Sequence, residues 1–227
     1  MVHIQRALLI LTLAAMMATT AAAELLLIDL DRFNQAAAET WWAPPVELHE
    51  VEQSGAVGAF DSDLVAQAIY RAHAAQHSTV DQSFDRVHLN GTFQVAVARD
   101  EPGVQQGMGS ASSYLKLTVQ PTEAYRLEMD LRVDAALGGY LTHALVRETI
   151  DGTSDMIYLW FGEDQVETIE MIAGATYEVF LTADCYFSGG LATDQFATMT
   201  FDVSIVPAGA VATQPTSFSA VKALFAR

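Results

Sequence analysis

The sequence predicts an all-β fold, an antiparallel β-sandwich of jelly-roll-like form preceded by a cleaved signal-peptide helix. Three observations predict it. Apolar and polar residues alternate with a period of two through most of the chain, so each run buries one face and wets the other. Turn signals rich in Gly, Pro, Asp and Ser divide these runs, the pattern of antiparallel strands. The apolar fraction is 51%, ample for the core of a single unit of about 200 residues, a size common for all-β domains.

The elements follow in chain order. Residues 1–6 carry Arg6 as a short positive start, residues 7–17 are apolar, and residues 18–23 are all small, ending in Ala21-Ala22-Ala23. That is the layout of a signal peptide cleaved before Glu24. Its apolar part is shorter than the ~20 residues a membrane helix needs. Residues 25–30 and 46–51 read as strands, with the Trp41-Trp42 and Pro44-Pro45 pairs between them. Residues 61–77 are ambiguous, because Leu64, Val65, Ala68, Ile69 and Ala72 have helical spacing behind a capping Asp61 or Ser62.

From residue 87 the alternation is plain. Val87, Leu89, Gly91, Phe93, Val95 and Val97 share a face, and Leu115, Leu117 and Val119 repeat the pattern up to Pro121. Tyr125, Leu127, Met129, Leu131 and Val133 resume it. An apolar run over 141–150, the Asp151-Gly152 pair and a second run over 156–161 predict a hairpin. Tyr177, Val179, Leu181 and Ala183 follow a turn at Ala173-Gly174, and Ser188-Gly189-Gly190 separates them from Ala197, Met199, Phe201, Val203 and Ile205. Residues 207–227 form a tail that ends in a short amphipathic segment with Phe218, Val221, Leu224 and Phe225.

Charge narrows the function. The chain carries 28 acidic and 11 basic residues, a net −17; loss of the leader removes only Arg6, leaving 10 against 28, or −18. Such a surface repels DNA, RNA and anionic lipid, so no nucleic-acid partner is expected. No membrane span is expected after leader cleavage. The one cysteine, Cys185, sits in an apolar stretch and reads as a buried small hydrophobe.

No catalytic constellation stands out. There is no Gly-x-Ser-x-Gly, no phosphate loop with its Lys, and a single Cys cannot build a cysteine-cluster zinc site. A pair of hydrolytic carboxylates is neither supported nor refused by so many acids, and the chain is expected not to be an enzyme. His73 and His77 would share a helix face, but on a strand they lie ~13 Å apart and face solvent. No cofactor is expected apart from a structural calcium ion, for which Asp151 and Asp155 around the 151–155 loop are the candidate ligands; Asp29, Asp31, Asp61 and Asp63 offer further carboxylates. Asn90-Gly91-Thr92 matches a glycosylation acceptor but falls in mid-strand.

Aromatic rings are the most informative side chains. A ring with an apolar body and a polar tip suits a half-wet platform on which sugar rings stack. Trp41, Trp42, Tyr140 and Tyr158 are the ligand-binding candidates, with Tyr186 beside them. Trp41 and Trp42, being adjacent, cannot both face a core from an extended segment. Trp160, between Leu159 and Phe161, is expected to be buried.

The run Phe201-Asp202-Val203-Ser204-Ile205 leading into Val206-Pro207-Ala208-Gly209-Ala210 resembles the ending of planctomycete-type exported proteins with a Pro-Glu-Pro C-terminal sorting domain. Ile172-Ala173-Gly174-Ala175-Thr176-Tyr177 is similar to a segment before a late strand of that family, and residues 54–61 and 76–80 are similar to its N-terminal half. The resemblance implies an envelope- or matrix-associated β-sandwich linked to exopolysaccharide, without catalytic residues, and favours a long strand over 61–77. The chain departs from the pattern at Pro207-Ala208, where the sorting Glu is missing, and no apolar span or arginine cluster follows.

The sequence thus leads to a leader (1–23), a β-sandwich domain (24–206) and a tail (207–227). The expected role is a noncatalytic protein, secreted or held in the envelope, that contacts extracellular polysaccharide. The alternative is a structural, self-associating envelope protein, with a secreted glycoside hydrolase behind both. Its oligomeric state is open.

Overall fold

The structure is a computed structural model that describes residues 24–40, 46–68, 70–99, 107–135, 140–188 and 194–209. These residues form two six-stranded antiparallel sheets packed face to face. Sheet A runs, in spatial order, β2 (Val46–Ser54), β1 (Leu25–Thr40), β6 (Gly107–Pro121), β11 (Thr176–Ser188), β8 (Tyr140–Ile150) and β9 (Thr153–Phe161). Sheet B runs β10 (Gln165–Met171), β7 (Tyr125–Ala135), β12 (Gln195–Pro207), β5 (Val87–Arg99), β4 (Tyr70–Gln82) and β3 (Gly58–Gln67). From β5 onward the chain changes sheet at nearly every connection, the crossing habit of jelly-roll-like sandwiches. Among the described residues no helix is long and apolar enough to cross a membrane.

The alternation sets which face is buried. Leu115, Leu117 and Val119 of β6, Val179, Leu181 and Ala183 of β11, and Leu127, Met129 and Leu131 of β7 all point between the sheets and are buried. Val87, Leu89, Phe93, Val95 and Val97 of β5 meet Ala197, Met199, Phe201, Val203 and Ile205 of β12 in the same layer. Aromatic contacts knit this core: Phe93 lies 4.9 Å from Phe201, and Tyr70 lies 4.9 Å from Phe187, ring centre to ring centre. Cys185 is buried there too, and burial pushes its thiol up to about 11, so it is no nucleophile at neutral pH.

Near β1 the interior turns polar. Asn34 donates from Nδ2 to Ser62 Oγ and Ala74 O, each at 2.8 Å, and Ser113 Oγ donates to its Oδ1. One amide thereby ties β1 and β6 of sheet A to β3 and β4 of sheet B. Beside it the fully buried Arg32 reaches the carbonyl oxygens of Ala56 and Gly58. Its guanidinium fixes the connection that carries the chain from β2 in one sheet to β3 in the other.

The β8–β9 hairpin forms where the sequence predicts it. Asp151 and Gly152 both have positive φ (50° and 80°), the conformation of a type I′ turn, whose twist matches the flanking strands. Residues 61–77 correct the expectation: they form neither a helix nor one long strand. β3 and β4 pair in an antiparallel hairpin, Asp61 opposite His77, with Ala68 N donating to Tyr70 O at 2.8 Å in the turn. The helical spacing of Leu64, Ala68 and Ala72 arises because that turn resets the phase between two short alternating runs.

Candidate aromatic platform on sheet A

On the outer face of sheet A the strand register lines up side chains from five strands. Phe33 of β1 is opposite Tyr114 of β6, Tyr114 opposite Thr182 of β11, Thr182 opposite His143 of β8, and His143 opposite Phe161 of β9. Phe180, two residues along β11 on the same face, fills the gap between Tyr114 and His143. The rings form an unbroken file. Phe33 stacks on Tyr114 at 5.0 Å with 15° between the planes. Tyr114 to Phe180 is 5.4 Å, Phe180 to His143 is 5.7 Å, and His143 to Phe161 is 6.0 Å. Five strands at the usual spacing of ~4.8 Å make the file about 19 Å long. The first four rings are half-buried and Phe161 is exposed.

These rings sit in the polar phase of their strands. Tyr114 alternates with the core residues Ser113 and Leu115, and Phe180 with Val179 and Leu181. The core beneath therefore anchors each ring's backbone, and each ring keeps part of its surface in solvent. Packing between offset or tilted rings at 5–6 Å is favourable, by about 0.5–1.5 kcal/mol per pair beyond the area buried, so the file is held in shape before anything docks on it.

Hydrogen-bonding groups border the file on both sides. Tyr114 Oη donates to Asp31 Oδ2 at 2.9 Å, and Gln53 Nε2 donates to the other oxygen of that carboxylate at 2.8 Å. Burial, then the bond and charge of Asp31, push the Tyr114 phenol up to about 12, so it remains a neutral donor. Asp184 accepts from Ser112 Oγ and from Thr182 Oγ1, the latter at 3.1 Å. Opposite Asp184, on the flank shared with Asp31, Glu178 pairs with Arg147 at 3.0 Å and with Lys116 at 3.4 Å. His143 is held below the ordinary imidazole value by burial, against the pull of Asp184. At neutral pH it is therefore an uncharged ring continuous with its aromatic neighbours.

The predicted site residues stand as follows. Trp41 and Trp42 fall outside the described residues. Tyr140 opens β8 opposite Cys185, and its side chain is likewise outside them. Tyr158 points inward: it is opposite Val146, packs on the core, and has its hydroxyl buried. Burial and the nearby Glu167 raise its phenol. Trp160 is buried, as the sequence predicts. Tyr186 is exposed on the outer face of sheet A. Asp151 occupies the hairpin turn, and Asp155 is exposed on β9 opposite Glu148. Neither joins a cluster of three metal-ligating side chains among the described residues.

Three histidines of sheet B pair with carboxylates on neighbouring strands. His73 Nε2 is 2.8 Å from Asp63, His77 Nδ1 is 2.9 Å from Asp61, and His88 Nε2 is 2.9 Å from Asp202, all on sheet B. Phe33, Tyr114, His143, Phe161 and Phe180 escape a reading that looks for tryptophan pairs. The signal that would find them is an aromatic residue in the polar phase of an alternating run. No protein-family model matches this sequence, and no curated protein matches it either.

Proposed function

We propose that this chain is an exported, noncatalytic module that binds extracellular polysaccharide along the aromatic file of sheet A. One observation carries the reading: five rings stand in contact across five strands of a rigid sheet, bordered by carboxylates, hydroxyls and an amide. Stacking on ring faces recognises the apolar face of a pyranose, while the bordering oxygens take up its hydroxyls. The file crosses five neighbouring strands, which suits a long chain lying across it. The leader at 1–23 supplies the route out of the cell.

The test is retention on a panel of immobilised polysaccharides, comparing the native protein with Tyr114→Ala and Phe180→Ala and with a Trp41→Ala, Trp42→Ala double variant. Loss of retention in the first two, with the double variant unaffected, supports the file. Retention unchanged by removing Tyr114 and Phe180 sinks it.

A second reading, self-association into a structural layer, has its own observation. Three of the four sheet edges carry carboxylates: Glu47, Glu50 and Glu52 on β2, Asp61 and Asp63 on β3, Glu167 and Glu170 on β10. Charged edges discourage strand pairing between molecules. The fourth edge, β9, has only Asp155, and exposes Met156, Leu159 and Phe161. Sedimentation that finds a monomer at high concentration counts against this alternative.

A further inference from the structure

We infer that the connection end of the β1–β2 hairpin is a binding site for a late first-row divalent metal ion, with Glu39, Glu47 and His49 as its ligands. Glu39 and Glu47 are direct cross-strand partners, and His49 is diagonal to Glu39, two residues along β2. All three side chains stand on the outer face of sheet A, and their ligand atoms lie within 4.8 Å of one another. His49 Nε2 is 3.2 Å from Glu47 Oε1 and 3.7 Å from Glu39 Oε1. Metal–nitrogen and metal–oxygen bonds of ~2.0–2.2 Å at tetrahedral angles put neighbouring ligand atoms ~3.4 Å apart. The two distances bracket that value.

Two further features single the cluster out. Like charges placed directly opposite on a sheet repel, yet here two carboxylates face each other on an edge hairpin of a strongly acidic protein. The five residues that join the strands, Trp41-Trp42-Ala43-Pro44-Pro45, include no basic side chain. Among the described residues, His49 alone pairs with both carboxylates, and an ion shared by all three neutralises the repulsion outright. The second feature is the back of the imidazole. The Gln35 amide nitrogen, Nε2, lies 3.4 Å from His49 Nδ1. Turned end for end, the same amide would present its oxygen to accept the Nδ1 proton and leave the His49 Nε2 free to bind metal, the usual arrangement of a ligating histidine and its supporting partner.

One nitrogen and two carboxylates suit zinc and its neighbours in the series better than calcium, which takes 6–8 oxygens. Three protein ligands leave a fourth position for water or a ligand oxygen. The site is independent of the glycan reading, although Glu39 and Phe33 share a face of β1.

The test uses the purified protein freed of metal with a chelator, titrated with Zn²⁺ alone by calorimetry and with Ca²⁺ in parallel. Expected are one Zn²⁺ per chain in the micromolar range, at least tenfold weaker binding for His49→Ala and for Glu47→Gln, and no change for Asp151→Asn. All three residues are on the surface, so circular dichroism should find the variants folded. Co²⁺ bound to the native protein should give the intense visible absorption of a four-coordinate ion, and His49→Ala should abolish it. Zn²⁺ affinity unmoved by His49→Ala, or no saturable binding below millimolar concentration, overturns the assignment.

Discussion

Replacing Arg32 with methionine should destabilise the protein less than replacing it with lysine. Arg32 is 0% exposed. Its Nη1 donates to Gly58 O at 2.8 Å, Nη2 donates to Ala56 O and, at 3.5 Å, to Ser54 Oγ, and the guanidinium lies 5.2 Å from the centre of the Phe60 ring. These partners are all neutral, and burial draws the guanidinium below its ordinary value. Two effects of similar size oppose each other. Two bonds from a charged donor contribute about 3–6 kcal/mol together, while desolvating an ion without a counter-charge costs several kcal/mol.

Methionine gives up both effects and keeps most of the stem's volume. The Ala56 carbonyl is on an exposed connection and can turn to water, so a loss of about 1 kcal/mol is expected. Lysine keeps the buried charge, but its ammonium is a compact, strongly hydrated point that cannot span two carbonyls as the planar fork does. Losing one such bond while retaining the full desolvation penalty puts Arg32→Lys at about 2–3 kcal/mol. Urea unfolding measures both, read as a midpoint shift at constant slope. A lysine variant as stable as the methionine variant would refute the claim that the carbonyl clamp offsets an unpaired buried charge.

Two other outcomes follow from the geometry. A Cβ on Gly91 would lie 2.4 Å from His77 O, 2.8 Å from Ser78 Cα and 2.9 Å from the Phe201 ring, so Gly91→Ala should destabilise by about 2–3 kcal/mol through overpacking, roughly 5–10 °C in melting temperature. His143, depressed in the folded protein from its ordinary 6.5, takes up its proton more readily when unfolded. Its contribution to stability is therefore present above pH ~6.5 and lost as pH falls through the lower folded value. His143→Phe should flatten the decline of stability below pH 6.5 relative to the native protein; parallel curves for the two would contradict the assignment.

Much of the sandwich was legible because the period of two is local. Val87 to Val97 and Ala197 to Ile205 declare their buried face without knowledge of any partner. The division of residues 61–77 was hidden because its turn contains no Gly or Pro, and the alanines around it suit a helix as readily as a strand. The aromatic file was hidden for another reason. Phe33 meets Tyr114 across 81 positions of sequence, and Phe161 joins only through β8, so the file exists in the strand order, which no local pattern states. Tyr158 shows the converse: a residue type apt for stacking is turned inward by its phase, on the same side of β9 as Trp160.

The strand order also governs when this protein can come into being. β12 is the last strand among the described residues, yet it lies in the middle of sheet B between β5 and β7, and β11 lies between β6 and β8 in sheet A. A chain emerging from its N-terminus can close the β1–β2 and β3–β4–β5 hairpins early, but sheet A is not continuous until residues 176–188 arrive, and sheet B not until residues 195–207. Long-range pairing of this kind is slow and leaves unpaired edges waiting. Until then the growing chain is a set of sticky fragments. Its completion is a late, nearly single event, and a truncation before β12 should yield an aggregating fragment rather than a smaller domain.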